Sequence, residues 1–180
     1  MAVTIRDEYK KMLESITAYK GFYIGRFELS GTVESPTLVQ GGTVLINKNW
    51  YELYNACSKF TTVGAVSRMI YGCQWDVTCK FISERGGGTR VSLTDSSAYG
   101  NYSGTVRTSG YNESWRTHNI YDLAGNVREW VQDAYNQDCR CLRGGDCADR
   151  GSVYPVTIRN YTQSNSSWSL ESSRPMMYVL

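Results

Sequence analysis

N-I-Y-D-L-A-G-N-V-R-E-W-V-Q-D-A-Y-N-Q-D-C-R-C-L-R-G-G, residues Asn119 to Gly145, is the stretch whose reading decides the fold. Its apolar residues Ile120, Leu123, Val127, Trp130 and Val131 fall at mixed spacings, and Gly125-Asn126 interrupts them. That arrangement predicts a tight turn feeding a strand. Glycine reaches a positive φ without steric cost, and an asparagine side chain satisfies backbone groups in the same turn. Glu129-Trp130 then sets a carboxylate beside a large aromatic, where burial demands several hydrogen bonds or a cation.

The run resembles the signature of the formylglycine-generating enzyme family, D-x-A-G-N-V-W-E-W followed by R-G-G. Asp122, Ala124, Gly125, Asn126, Val127, Glu129, Trp130, Arg143, Gly144 and Gly145 match it, and Arg128 replaces the usual first tryptophan. Upstream, Gly21-Phe22-Tyr23-Ile24-Gly25-Arg26-Phe27-Glu28 is similar to the family's opening strand. The resemblance implies an α+β, C-type lectin-like fold: loop-rich, with small antiparallel sheets and two or three helices. Tyr71-Gly72-Cys73-Gln74-Trp75-Asp76 stands where the family's enzymes carry P-T-E-A-E-W-E, and this version resembles phage and prophage members of the superfamily.

A chain of 180 residues is read as one domain, 1–180, long enough to bury a core. The 14 tyrosines and 17 glycines favour ordered loops over long helices. A net charge of +2 with no basic run gives no footprint for nucleic acid. Met1 to Tyr19 lacks the apolar core of a leader, and no stretch approaches a membrane span, so the residues present read as soluble. The six cysteines, Cys57, Cys73, Cys79, Cys139, Cys141 and Cys147, read as reduced thiols, since a domain of this size does not need disulfides.

Asp7 ahead of Tyr9, Met12, Leu13, Ile16 and Tyr19 predicts a helix capped at Asp7 and ended by Gly21. Residues 21–30 read as a strand, 31–42 as a loop, and Val44 to Ile46 as a short strand. Asn49 caps a second helix with Trp50, Leu53, Tyr54, Cys57 and Phe60 on one face. A third helix covers Gln74 to Ser83, and Gly86-Gly87-Gly88 ends the helical part of the chain. Thr89 to His118, rich in Ser, Thr, Gly, Asn and Tyr, reads as one long loop. The Asn-x-Ser/Thr matches at Asn101, Asn112, Asn160 and Asn165 are what so polar a chain yields by chance. The lone histidine, His118, reads as a loop residue.

The family's oxidases activate oxygen on copper held by two cysteines after R-G-G. Those positions here hold Asp149 and Tyr154, while Cys147 has no partner at the family's spacing. The chain is therefore expected not to be an enzyme, with a copper oxidase using displaced cysteines as the alternative. The C-x-C-x5-C spacing of Cys139, Cys141 and Cys147 is not a usual zinc pattern. No cofactor is expected, apart from a structural calcium near Asn126 and Glu129 that family analogy allows.

R-G-G, a variegated segment, then Ser173-Arg174-Pro175 and an apolar end, Met176 to Leu180, resembles the variable proteins of diversity-generating retroelements. In those, adenine-directed mutagenesis scatters substitutions over a lectin-fold surface. The resemblance makes 146–171 the variable segment. It places ligand contacts at Asp146, Cys147, Asp149, Val153, Tyr154, Ile158, Asn160 and Tyr161, all reachable from A-A-pyrimidine codons, whereas Trp168 and Glu171 are not and belong to the fixed frame. Exposed Val153, Ile158 and Cys147 would suit a surface sampled for binding, and Tyr154 and Tyr161 would add stiff contact area. The implied function is non-catalytic binding of a protein or glycan receptor on a cell surface, from a phage tail or a bacterial surface. A homo-oligomer fits that reading, and a structural tail protein is the further alternative.

Overall fold

The computed structural model describes residues 2–84 and 91–180, so the expectation for Gly86-Gly87-Gly88 lies outside the described residues. In chain order the elements begin with α1 (Ala2–Tyr19), β1 (Tyr23–Ile24), β2 (Ser30–Gly31), β3 (Pro36–Thr37), α2 (Trp50–Ser58), β4 (Ala65–Met69) and α3 (Gly72–Glu84). A 3-10 turn (Glu113–Trp115) then leads into β5 (Arg116–Thr117), β6 (Ile120–Tyr121), β7 (Arg128–Ala134) and β8 (Cys139–Arg143). The chain closes with β9 (Arg159–Gln163), β10 (Glu171–Ser172) and β11 (Pro175–Val179).

Helix α1 starts before Asp7, which lies inside it rather than capping it. No Gly or Pro interrupts residues 2–6, and Ile5, seven residues before Met12, falls on the same side of the helix and packs inward there. Helix α2 begins as expected. Glu52 N donates to Asn49 Oδ1 at 3.0 Å and Asn49 N to Glu52 Oε2 at 2.9 Å, a reciprocal capping box.

The strand expected over 21–30 is only β1 and β2. The intervening backbone changes partners instead of following one ladder: Gly25 N donates to Pro175 O, Tyr121 N to Arg26 O and Leu29 N to Ser173 O. Val44 to Ile46 likewise makes a single bridge, from Val44 to Ser30, instead of a strand.

The closing strand β11 lies between β1 and β4, antiparallel to both, so the chain's two ends meet in one sheet. A second sheet has the order β10-β7-β8-β9. Its β10–β7 pair is parallel, with Glu171 opposite Arg128, an exception to the antiparallel expectation that the long return after β9 permits. One apolar cluster gathers Met12, Ile70, Trp75, Cys79, Val131, Val156 and Met176, and another Leu29, Trp50, Leu53, Cys57, Trp130 and Leu142. Neighbours Trp130 and Val131 feed different clusters because successive strand residues face opposite sides.

Candidate functional site

The A-G-N turn is built as its residues require. Gly125 and Asn126 have φ of 71° and 59°, and a Cβ on Gly125 would stand 2.3 Å from Asn101 O. Fully buried Asn126 uses its whole side chain: Oδ1 accepts from Asn101 Nδ2 and Arg107 N, while Nδ2 donates to Glu28 Oε2 at 2.6 Å and to Arg107 O. Glu129, expected to need a cation, meets Arg174. Nε donates to both carboxylate oxygens at 2.9 and 2.8 Å and Nη2 to Oε1 at 2.6 Å. The same guanidinium donates to Gly25 O and Tyr121 O, tying the opening segment to the turn before β7. Ser172 and Ser173 donate to Leu45 O and Trp130 O, which gives the S-S-R-P run its structural role. Arg143 donates to Asp76 Oδ1 at 2.6 Å, and Gly144 and Gly145 turn with φ of 89° and 72°.

From that turn the chain dives inward, and this corrects the expectation of exposure for two predicted contacts. Asp146 and Cys147 are buried, at 1% and 2% exposure. Cys147 N donates to Asn126 O, which holds this end of the segment against the frame. Val156, which the sequence reading passed over, is the anchor further along. It is fully buried, its carbonyl accepts from Trp75 Nε1 at 2.8 Å and its N–H donates to Ser96 Oγ at 2.8 Å. Tyr102 Oη donates to Tyr154 O and Thr157 Oγ1 to Leu93 O, so the long polar loop before the signature packs beneath the segment.

Around these anchors the other predicted residues divide. Arg128, the departure from the family signature, gathers three of them. Its Nη2 lies 2.8 Å from Asp146 Oδ2 and 3.1 Å from Asp149 Oδ2, and its guanidinium sits 5.8 Å from the Tyr154 ring centroid. Asn160 joins the same side of the sheet, opposite Leu142 in the β8–β9 register. Tyr161 points the other way: it pairs with Cys141 and stacks on Tyr135 at 3.6 Å with the rings 4° from parallel. Val153 is 58% exposed, Ile158 half-buried, and neither lines the groove described next.

That groove, about 260 Å3, is lined by Arg128, Leu142, the β9 residues 160–162 and the 168–171 return. Trp168 forms an exposed wall at 60% exposure. Glu171, 4% exposed, lies opposite Arg128 in the sheet and its Oε2 has no hydrogen-bond partner. Burial pushes its carboxyl up to about 7, against the pull of Arg128. Of the groove residues only Asn160 and Tyr161 were expected as contacts, and Arg128 and Trp168 are the large side chains among the rest. The replaced tryptophan at 128 was the signal available for the first.

The metal expectations meet occupied side chains. Glu129 is engaged by Arg174, and Asn126 by Asn101, Arg107 and Glu28, so the residues named for calcium do not fit it. Asp149, at one of the family's cysteine positions, is bound to Arg128. Cys139 and Cys141 lie on β8 with Cys147 buried elsewhere, and among the described residues no three His, Cys, Asp or Glu are grouped to hold a metal. All six cysteines are free, and burial pushes the Cys79 thiol up to about 12.

The architecture is an α+β, C-type lectin-like fold of the formylglycine-generating type. It is similar to PvdO from Pseudomonas aeruginosa, with a TM-score of 0.59 at 14% identity over 88% of this chain and 80% of that one. Treponema denticola variable protein 1 gives 0.51 at 18% identity over 74% and 70%. The U1 variant of the Major Tropism Determinant gives 0.55 at 13% identity over 88% of this chain, which spans about half (51%) of that protein. No family model matches the sequence, and no curated protein matches it either.

Proposed function

We propose that the protein is a non-catalytic recognition module, of the kind diversified by retroelements, that displays a variable surface within residues 146–171 on a lectin-like frame. The observation that carries this reading is the way the segment is held. Cys147 and Val156 are pinned by buried hydrogen bonds, while Asp149, Val153, Tyr154, Asn160 and Tyr161 stand partly or fully exposed between and beyond the pins. The side chains of Val153, Tyr154 and Tyr161 can change without disturbing the backbone that presents them, which is what a sampled surface requires, while Asp149 Oδ2 and Asn160 Oδ1 accept from Asp146 N and Tyr161 N. Asp146 and Cys147 leave the contact set because they are buried.

Two of the similar structures are a variable protein and a tropism determinant. They support a role in receptor choice, with a protein or glycan on a cell surface as partner and a phage tail or bacterial surface as location. Among the described residues no helix is long and apolar enough to cross a membrane. The oxidase alternative would have to work through displaced cysteines, since Asp149 and Tyr154 stand at the family's cysteine positions. Sequencing the coding locus tests the proposal: a neighbouring reverse transcriptase and a near-repeat of the last coding segment, differing at adenines, are expected. A locus without them sinks the reading.

A further inference from the structure

The groove beside β9 combines fixed and changeable walls. Arg128, Leu142, Trp168 and Glu171 belong to the frame, and Asn160 and Thr162 are the β9 residues of the variable segment whose side chains share their side of the sheet. Three carboxylates, Asp146, Asp149 and Glu171, face a single guanidinium. Arg128 Nη2 is already committed to the first two, at 2.8 and 3.1 Å, and its buried Nε meets no acceptor, Glu171 included. Glu171 is left with its Oε2 unpartnered at 4% exposure and with the Trp168 indole exposed on the same groove. A buried carboxylate oxygen without a donor is costly, and an outside donor that brings positive charge relieves both the missing hydrogen bond and the excess negative charge.

We infer that this groove is a constant subsite for a basic side chain of a protein partner, arginine above lysine, paired with Glu171 and stacked on Trp168. A guanidinium suits it because its planar fork pairs with a carboxylate while its face lies on an aromatic ring. An anion would meet the acidic surplus and be repelled. The inference rests on the recognition-module reading. It adds that every variant of the surface shares one cationic anchor while Asn160 and the Arg128-side residues tune the rest.

The test uses the full chain, isotope-labelled, titrated with N-acetyl-arginine amide and its neutral isostere N-acetyl-citrulline amide, with methyl glycosides as a third probe. Saturable shifts of the Trp168 indole N–H and of the amides of Asn160, Thr162 and Glu171 are expected with the arginine compound. Citrulline should bind at least tenfold more weakly. Glu171→Gln should weaken arginine binding at least tenfold while the indole signals of Trp50, Trp75, Trp115 and Trp130 stay in place, which reports an intact fold. If that variant does not fold, Trp168→Ala, read on the same amides, should lose the binding. Equal binding of citrulline, saturation by a glycoside instead, or unchanged affinity in a folded variant overturns the subsite. The locus result is separate: a retroelement with no arginine shift removes the subsite alone, and an arginine shift without a retroelement removes the diversification reading alone.

Discussion

Arg128 and Glu129 are neighbours on β7 that face opposite sides of the sheet, and they lead opposite chemical lives. Glu129 is 1% exposed and meets Arg174, itself fully buried, through three short hydrogen bonds. Arg128 is a quarter exposed at 26%, shared between two aspartates, and stands opposite a glutamate whose buried Oε2 has no donor. One ion pair closes the frame. The other leaves bonding capacity at the rim. A strand can thus carry structure on one face and recognition on the other, and the two should respond differently to substitution.

Breaking the closed side should give the largest effect. Glu129→Gln leaves Arg174 buried without its main partner, and removing one member of a buried pair costs about 3–5 kcal/mol. That is a large part of the roughly 5–15 kcal/mol by which a domain is stable. Urea unfolding should show the midpoint collapse, and the double variant Glu129→Gln with Arg174→Met should recover part of the loss, because no unpaired charge then remains. A double variant as unstable as the sum of the singles would mean the pair does not act as a unit.

Next in size is the turn that aims β7. Gly125→Ala adds a methyl 2.3 Å from Asn101 O at a φ of 71°, so left-handed strain and overpacking combine to roughly 2–4 kcal/mol. Gly104 has a similar φ of 82° but nothing within 4 Å, so Gly104→Ala should cost only the strain, about 1–2 kcal/mol. Thermal melts of the two variants separate the contribution of close approach from that of backbone handedness. Equal losses would show that the contact with Asn101 relaxes.

How much of this was legible follows the range of the interactions. The capping box of Asn49 and Glu52 is local, three residues apart, and the A-G-N turn needs only its own backbone; both could be read directly. Arg174 and Glu129 lie 45 residues apart, so the sequence showed a carboxylate wanting a cation but not which cation. Arg128 stood out as a departure, yet its role depends on Asp146, Asp149 and Tyr154, which only the fold brings beside it. The inward dive at Asp146 and Cys147 was hidden for another reason. Turn formers mark where a chain bends, while its direction into the core was fixed by the bond from Cys147 N to Asn126 O. Val156 was concealed between Pro155 and Thr157, with no periodic pattern to mark it as buried.

The open side should respond to pH. Glu171 has its carboxyl raised from 4.5 to about 7, so between those values the folded protein holds a proton that the unfolded chain has released. Stability from this group therefore falls as pH rises from about 4.5 to about 7, and levels off above. After discounting for solvent at the groove mouth, the expected change is about 1–2 kcal/mol. Glu28, pushed well above the usual carboxylate range by burial and then by Asp122 and Glu129, slopes the same way. The difference between wild type and Glu171→Gln isolates the groove. Parallel curves for the two proteins would place the titrating group elsewhere.

The smallest effects should come from the displayed residues, and their smallness is the informative point. Val153 is 58% exposed in a turn whose backbone is held by bonds from Val153 N and Tyr154 N to Arg150 O, neither of which uses the valine side chain. Val153→Asp should therefore change stability by no more than about 0.5 kcal/mol, the usual range for a surface site away from special features. Tyr161→Ala removes the parallel stack on Tyr135, so it should cost somewhat more, about 0.5–1.5 kcal/mol. Set beside Glu129→Gln, these values measure how far the frame insulates its surface. If Val153→Asp cost as much as Gly125→Ala, the segment would be part of the core's architecture, and a sequence free to vary there would not fold.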